Sequence, residues 1–213
     1  MSNRDRFEEK YGAVNQRLER AKKRLSIGIF GPYGGSCEYI LEEIAEKLRE
    51  DGYRAWLCSE RNEKEIIKKN SDSEDEFIWK TSRQCLEEAD RAVFILLEPL
   101  ENRFEDGKFD PSYEQNSSVT AEFTYWISNL DTRGEKGVIL YENNRRKKVS
   151  GLVQGQADTE NFNSRDIYPE RWASDHGKEH LEYDEQTIGA MHQAVSSQCY
   201  NWIDEHEEEI LDI

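Results

Sequence analysis

In residues 25–40, LSIGIFGPYGGSCEYI, an apolar run passes through a glycine-bearing loop into a helical pattern. Ser26 to Phe30, with Leu25 before it, is continuously apolar apart from small residues, which predicts a strand buried on both faces. Gly31, Gly34 and Gly35 then fall within five residues of a chain that holds 13 glycines in 213 residues. Glycine lets the backbone turn sharply or approach a ligand, and the helix start behind it offers free N–H groups to an anion or a sugar oxygen. The alternative is a plain turn that reverses the chain onto the sheet. Ser36 is placed to cap the helix, whose apolar set is Tyr39, Ile40, Leu41, Ile44, Ala45 and Leu48 and which ends at Asp51-Gly52.

Outward from this stretch the chain alternates. Tyr53 to Cys58 reads as a second strand, and residues 59–72 as a long polar connection with a short helix through Ile66 and Ile67. Ser73 to Ala89 carries Phe77, Ile78, Cys85 and Leu86 on a helical pattern. Arg91 to Leu97, RAVFILL, is the most continuous apolar run and predicts a central parallel strand. Residues 98–117 have no clear periodicity, and a loop of that length inside a compact domain is usually functional or mobile. Ser118 opens an aromatic-rich helix, Val138 to Tyr141 is a fourth strand, and Arg165 to Tyr168 reads as a fifth, edge strand within the irregular stretch 143–182. A long helix from Asp184 to Ile210 closes the order. Before all this, Phe7, Tyr11, Val14, Leu18, Ala21 and Leu25 are spaced by alternating fours and threes, the stripe of an amphipathic helix.

This β-α-β-α-β-α-β order predicts a flavodoxin-like α/β fold: a parallel sheet of four to five strands with helices on both faces and extra helices at the two ends. Residues 1–24 form the leading helix, which packs on its own domain or on a second copy as a homodimer, and residues 25–213 a single nucleotide-binding-type domain. In such sheets ligands bind beyond the carboxyl ends of the strands, near the point where strand order reverses. The glycine loop lies on that edge.

Acidic residues outnumber basic ones 45 to 29, for a net charge of −16. That argues against nucleic acid as a partner, because phosphate affinity comes from Lys and Arg; an acidic surface also fits a salt-loving source. The basic runs Lys22-Lys23-Arg24 and Arg145-Arg146-Lys147-Lys148 read as solvated ends of elements. The first 24 residues are mostly charged, without the apolar core of a signal peptide, and no run suits a membrane span. A cytoplasmic protein without membrane contact is expected. Cys37, Cys58, Cys85 and Cys199 form no CxxC pair, so buried free thiols are expected rather than disulfides or zinc. His176 and His180 stand four apart, but Gly177 lies between them and no third ligand is visible. His192 and His206 show no partner in the sequence. No metal or cofactor is expected.

Two segments carry candidate chemistry. One is the loop Gly31-Pro32-Tyr33-Gly34-Gly35-Ser36, which lacks both the P-loop ending and the GxGxxG spacing. The other is NSSVTAEFTYW, residues 116–126, where Glu122 sits among Val119, Ala121, Phe123 and Trp126. A carboxylate there is partly stabilised by the helix N-terminus and partly desolvated by aromatics. Such a group can serve as nucleophile or electrostatic partner toward an oxocarbenium-like sugar carbon; the plainer reading is compensation of the helix dipole. Arg61, after the second strand, could pair with a phosphate or simply be solvated.

IFGPY after the first strand, a buried third strand ending near Glu98, and NSSVTAEFTYW together resemble the nucleoside 2-deoxyribosyltransferase fold, with its aGPy-type first loop and its helix of small residues and a Glu. The related TIR-type NAD hydrolases keep a comparable glutamate on a similar sheet. The resemblance covers roughly residues 25–142. Asn116-Ser117-Ser118 stands where that family has Asp-x-Gly-Thr, and Phe123-Thr124 where it has a Gly after the Glu. The resemblance implies that Glu122 is the catalytic glutamate, that Tyr33 and the loop backbone through Ser36 meet sugar or base, and that Glu98 helps orient hydroxyls. Ser118, at the helix start, belongs to the same binding edge. The implied activity is cleavage or transfer of an N-glycosidic bond of a nucleoside, nucleotide or NAD-like molecule. The alternatives are a non-catalytic nucleotide-sensing module on the same scaffold and a plain protein-interaction domain.

Overall fold

The computed structural model describes residues 3–32, 37–60, 71, 73–97, 104–105, 108–109, 117–129, 135–142, 155, 162–167 and 185–211. Five strands form one sheet in the order β2-β1-β3-β6-β7. They are β1 (Ser26–Phe30), β2 (Arg54–Leu57), β3 (Arg91–Leu96), β6 (Gly137–Glu142) and β7 (Asn163–Ile167). Every pairing in this sheet is parallel. A separate two-stranded antiparallel pair, β4 (Phe104–Glu105) and β5 (Lys108–Phe109), lies in the stretch where no periodicity was legible. Among the described residues five α-helices complete the fold: α1 (Asn3–Arg24), α2 (Glu38–Glu50), α3 (Glu74–Glu88), α4 (Ser117–Asn129) and α5 (Glu185–Leu211). The expected α/β flavodoxin-like architecture is what the chain adopts.

Because strand side chains alternate, the sheet presents two apolar faces. Ile27, Ile29, Val93, Ile95, Val138 and Leu140 meet α2, α5 and the end of α1. Phe30, Trp56, Phe94, Leu96, Ile139 and Tyr141 meet α3 and α4. The second face is an aromatic layer centred on Phe94. Phe30 stacks on it at 5.4 Å, and Phe123 and Trp126 of α4 approach it edge-on at 5.4 and 6.1 Å. The helix after β1 and the helix after β3 thus lie on opposite faces, so winding direction switches between these two adjacent strands.

Local signals explain the boundaries. Ser73 caps α3, its hydroxyl accepting from the Glu76 N–H at 3.1 Å. Gly52 turns the chain from α2 into β2 at φ +93°, a conformation that favours glycine. Along α1 and just beyond it the stripe divides: Ala21 and Leu25 are core residues, Leu18 is half-buried, and Tyr11 and Val14 are exposed. The α2 N-cap is Cys37 with no side-chain cap bond; the expected cap, Ser36, lies outside the described residues.

Three expectations need correction. Cys37 and Cys199 are buried free thiols, but Cys58 and Cys85 form a disulfide with Cα atoms 5.8 Å apart, because the β2 exit comes to rest against α3. Lys22 is not a solvated helix end. It is buried, donates to the Asp51 carbonyl at 3.0 Å, and lies over the rings of Tyr53 and Tyr200. His192 has a partner: its Nε2 lies 2.9 Å from Asp51 Oδ2, which also accepts from the Ser196 hydroxyl at 3.2 Å. Among the described residues no helix is long and apolar enough to cross a membrane.

Candidate functional site

The loops that leave β1 and β3 start side by side, since Phe30 is in register with Phe94. Gly31 and Pro32 are buried directly beyond β1. A Cβ on Gly31 would stand 2.6 Å from Leu41 Cδ2 and 3.3 Å from the Ile95 carbonyl oxygen. Close seating of α2 against the sheet edge therefore accounts for this glycine. Tyr33, Gly34, Gly35, Ser36, Arg61 and Glu98 lie outside the described residues, as do His176 and His180. Ser118 belongs to the first turn of α4.

Glu122 is the one candidate carboxyl whose surroundings are visible. It occupies the second turn of α4, on the stripe that also carries Val119, Phe123 and Trp126, and it is 4 % exposed. A residue three after Val119 and four before Trp126 is carried to their side of the helix, toward the core. Across from it, the Ser82 hydroxyl of α3 donates a hydrogen bond to the carboxyl. Its Oε2 has no hydrogen-bond partner among the described residues.

Burial pushes the Glu122 carboxyl up to about 7, and the Ser82 hydrogen bond opposes only part of that rise. Of the two influences the sequence suggested, stabilisation by the helix N-terminus and desolvation by aromatics, it is burial in the aromatic layer that raises the titration. No cation neutralises the group: among the described residues, burial and Ser82 alone move its titration. One turn further along the same seam, Tyr125 donates to Glu87 at 2.7 Å, and Arg83 bridges both. These charges are satisfied at the surface. Glu122 is not.

Ser82 and the disulfide were missed in the sequence. Ser82 is 40 positions from Glu122, and no spacing rule links two helices that meet only after the sheet has formed.

A cavity of about 430 Å³ lies at the opposite edge of the sheet, where β1, β3 and β6 begin. Several of its charged lining residues are engaged within the fold. Lys136 pairs with Glu209, Arg24 donates to the Leu211 carbonyl at 2.7 Å, and Asp90 accepts from the Ser26 N–H at 3.1 Å. This is an ion-paired seam between α1, α5 and the strand starts. Among the described residues no group of three or more potential ligands could hold a metal ion.

No family model matches the chain, and no curated protein sequence matches it.

Proposed function

We propose that the protein cleaves or transfers an N-glycosidic bond of a nucleoside, nucleotide or NAD-like molecule, with Glu122 as the working carboxyl. One observation supports this reading: among the described residues, a glutamate buried in the helix that follows the central strand has no cation beside it and one oxygen without a hydrogen-bond partner. Evolution removes such groups from cores unless they do something, because an unpaired buried polar atom costs about 1–3 kcal/mol. A carboxyl poised near neutrality and short of a hydrogen bond suits attack on, or stabilisation of, an oxocarbenium-like sugar carbon. The resemblance to nucleoside 2-deoxyribosyltransferases, carried by IFGPY and NSSVTAEFTYW, supports the same substrate class. The Gly31–Ser36 loop and Glu98 would complete the binding edge.

The low exposure of Glu122 favours a second reading, a nucleotide-sensing module on the same scaffold that binds without turnover. One experiment separates the two. The protein is incubated with NAD and a panel of nucleosides, base release is followed by chromatography, and binding is followed by calorimetry. Base release that disappears in Glu122→Gln supports the enzyme. Saturable binding without release supports the sensor, and neither binding nor release removes both.

A further inference from the structure

We propose that the outer part of α1 is a dimer interface: it pairs antiparallel with the same segment of a second copy of this chain, and its basic flank docks on the partner's acidic α5 end. This interface lies apart from Glu122, because the end of α1 packs with α2 and α5 on one face of the sheet and α4 packs on the other.

The apolar stripe of α1 runs on past the body that covers it. Ala21 is buried and Leu18 half-buried, yet every residue from Tyr11 to Arg17 is exposed. Tyr11 and Val14 continue the stripe at 57 % and 56 % exposure. These are nearly two turns of helix exposed on all sides. Helices in proteins are held mainly by tertiary packing of an apolar face, and a short helix alone in water is marginal. Gly12 weakens the segment further, since a side chain there would meet nothing within 4 Å and no packing calls for a glycine. A helix that persists here, with its stripe in the four-three step of a coiled coil, is built to be covered.

Charge names the occupant. α1 carries eight basic and four acidic residues, whereas the whole chain stands at −16. Positions 10, 17 and 24 are seven apart and so share one flank of the stripe. Within the chain that flank already meets the end of α5. Arg17 pairs with Glu207 at 2.9 Å, and Arg24 donates to the Leu211 carbonyl at 2.7 Å. The same end of α5 carries Asp204, Glu205 and Glu208, exposed and in no ion pair among the described residues. Leu18, Ile210 and Leu211 pack half-buried against the core beside them.

An acidic rim around half-buried apolar residues fits a helix with an apolar stripe and a basic flank. The outer part of α1 is such a helix: Phe7, Tyr11 and Val14 give the stripe, and Lys10, one heptad before Arg17, gives the flank. In the antiparallel register Tyr11 lies opposite the partner's Val14, and Phe7 opposite the partner's Leu18. Lys10 then falls close to the partner's Arg17, where the partner's Glu207 and Glu208 supply the counter-charge. A parallel pair would carry Lys10 away from α5 and set two strongly acidic bodies side by side. The contact is two-fold, so each interaction occurs twice.

The test is sedimentation equilibrium of the full chain over a concentration series from about 1 to about 100 µM. Wild type should reach the mass of two 25.0 kDa chains at the upper end and dissociate toward the lower. Val14→Lys should raise the dissociation constant about a hundredfold, because a buried apolar contact is lost twice. Lys10→Glu and Glu208→Lys should each raise it about tenfold, and the double variant should return to within about threefold of wild type. Val14 and Glu208 are exposed, so circular dichroism of their variants should match that of dilute wild type. A wild-type chain that stays monomeric throughout overturns the proposal without recourse to any variant. Co-sedimentation of that monomer with phosphatidylserine vesicles would assign the face to an anionic lipid surface instead. A dimer indifferent to Val14→Lys overturns the proposal as well. So does a double variant no tighter than the single ones, because it removes α5 from the interface.

Discussion

At the residue scale, burial in the aromatic layer raises the titration of Glu122 to about 7 and makes its ionised form costly. Under the proposed function, an ionised carboxylate in this aromatic layer, with no cation beside it among the described residues, offers its negative charge to an electrophilic carbon more readily than in solvent. If the ionised form is the nucleophile, base release should rise with pH, about tenfold per unit, and level off above about 7. A rate that instead falls through that midpoint assigns the proton-donating form and overturns the nucleophile role. The position of Glu122 on the buried stripe was legible, because Val119, Phe123 and Trp126 mark that stripe at helical spacing. Its depth was not, since depth depends on Phe94 and Ser82 from other elements. The same holds for His192, whose partner Asp51 lies 141 positions away.

At the scale of elements, the contact between α2 and the sheet edge depends on Gly31. Gly31→Ala forces a Cβ against Leu41 within a packed layer and should destabilise the protein by about 1–3 kcal/mol in urea unfolding, without moving the Glu122 titration midpoint. An unchanged unfolding midpoint would mean that the loop glycine is not held by packing. The strands and helices were readable because each follows one pattern: a continuous run of small and apolar residues in β1, apolar residues at every third or fourth position in α2. The hairpin β4–β5 obeys neither, being two residues per strand, too short to show alternation. Ile78 shows the converse error of pattern reading: it fits the helical spacing of α3 yet is 54 % exposed, because the face it occupies turns away from the sheet.

At the scale of the whole molecule, one parallel sheet separates two apolar layers, and the layer on the α3 side carries the Cys58–Cys85 bond. Reducing the Cys58–Cys85 bond frees a 27-residue separation in the unfolded chain. It should lower stability by about 3 kcal/mol, and the melting temperature of a chain this size by roughly 10 °C. Calorimetry with and without a dithiol checks this; coincident melts would show that the bond contributes nothing. The sequence placed both cysteines in apolar segments but could not pair them, because a pairing distance exists only once β2 and α3 are assembled. The net charge of −16 gives a further whole-molecule expectation: added salt should raise the melting temperature by screening self-repulsion.

The most direct measurement is the stability of wild type and Glu122→Gln from pH 4.5 to 8. Between about 4.5 and about 7 the unfolded chain has released the Glu122 proton while the folded chain still holds it. The stability this group contributes is therefore complete below about 4.5 and is lost as pH rises to about 7. Wild type should lose about 3 kcal/mol relative to the glutamine variant over that span, leaving the variant the more stable protein at pH 8 while it is inactive in base release. A stability difference that stays constant with pH would show that Glu122 is ionised and comfortable in the folded protein, and would contradict the account.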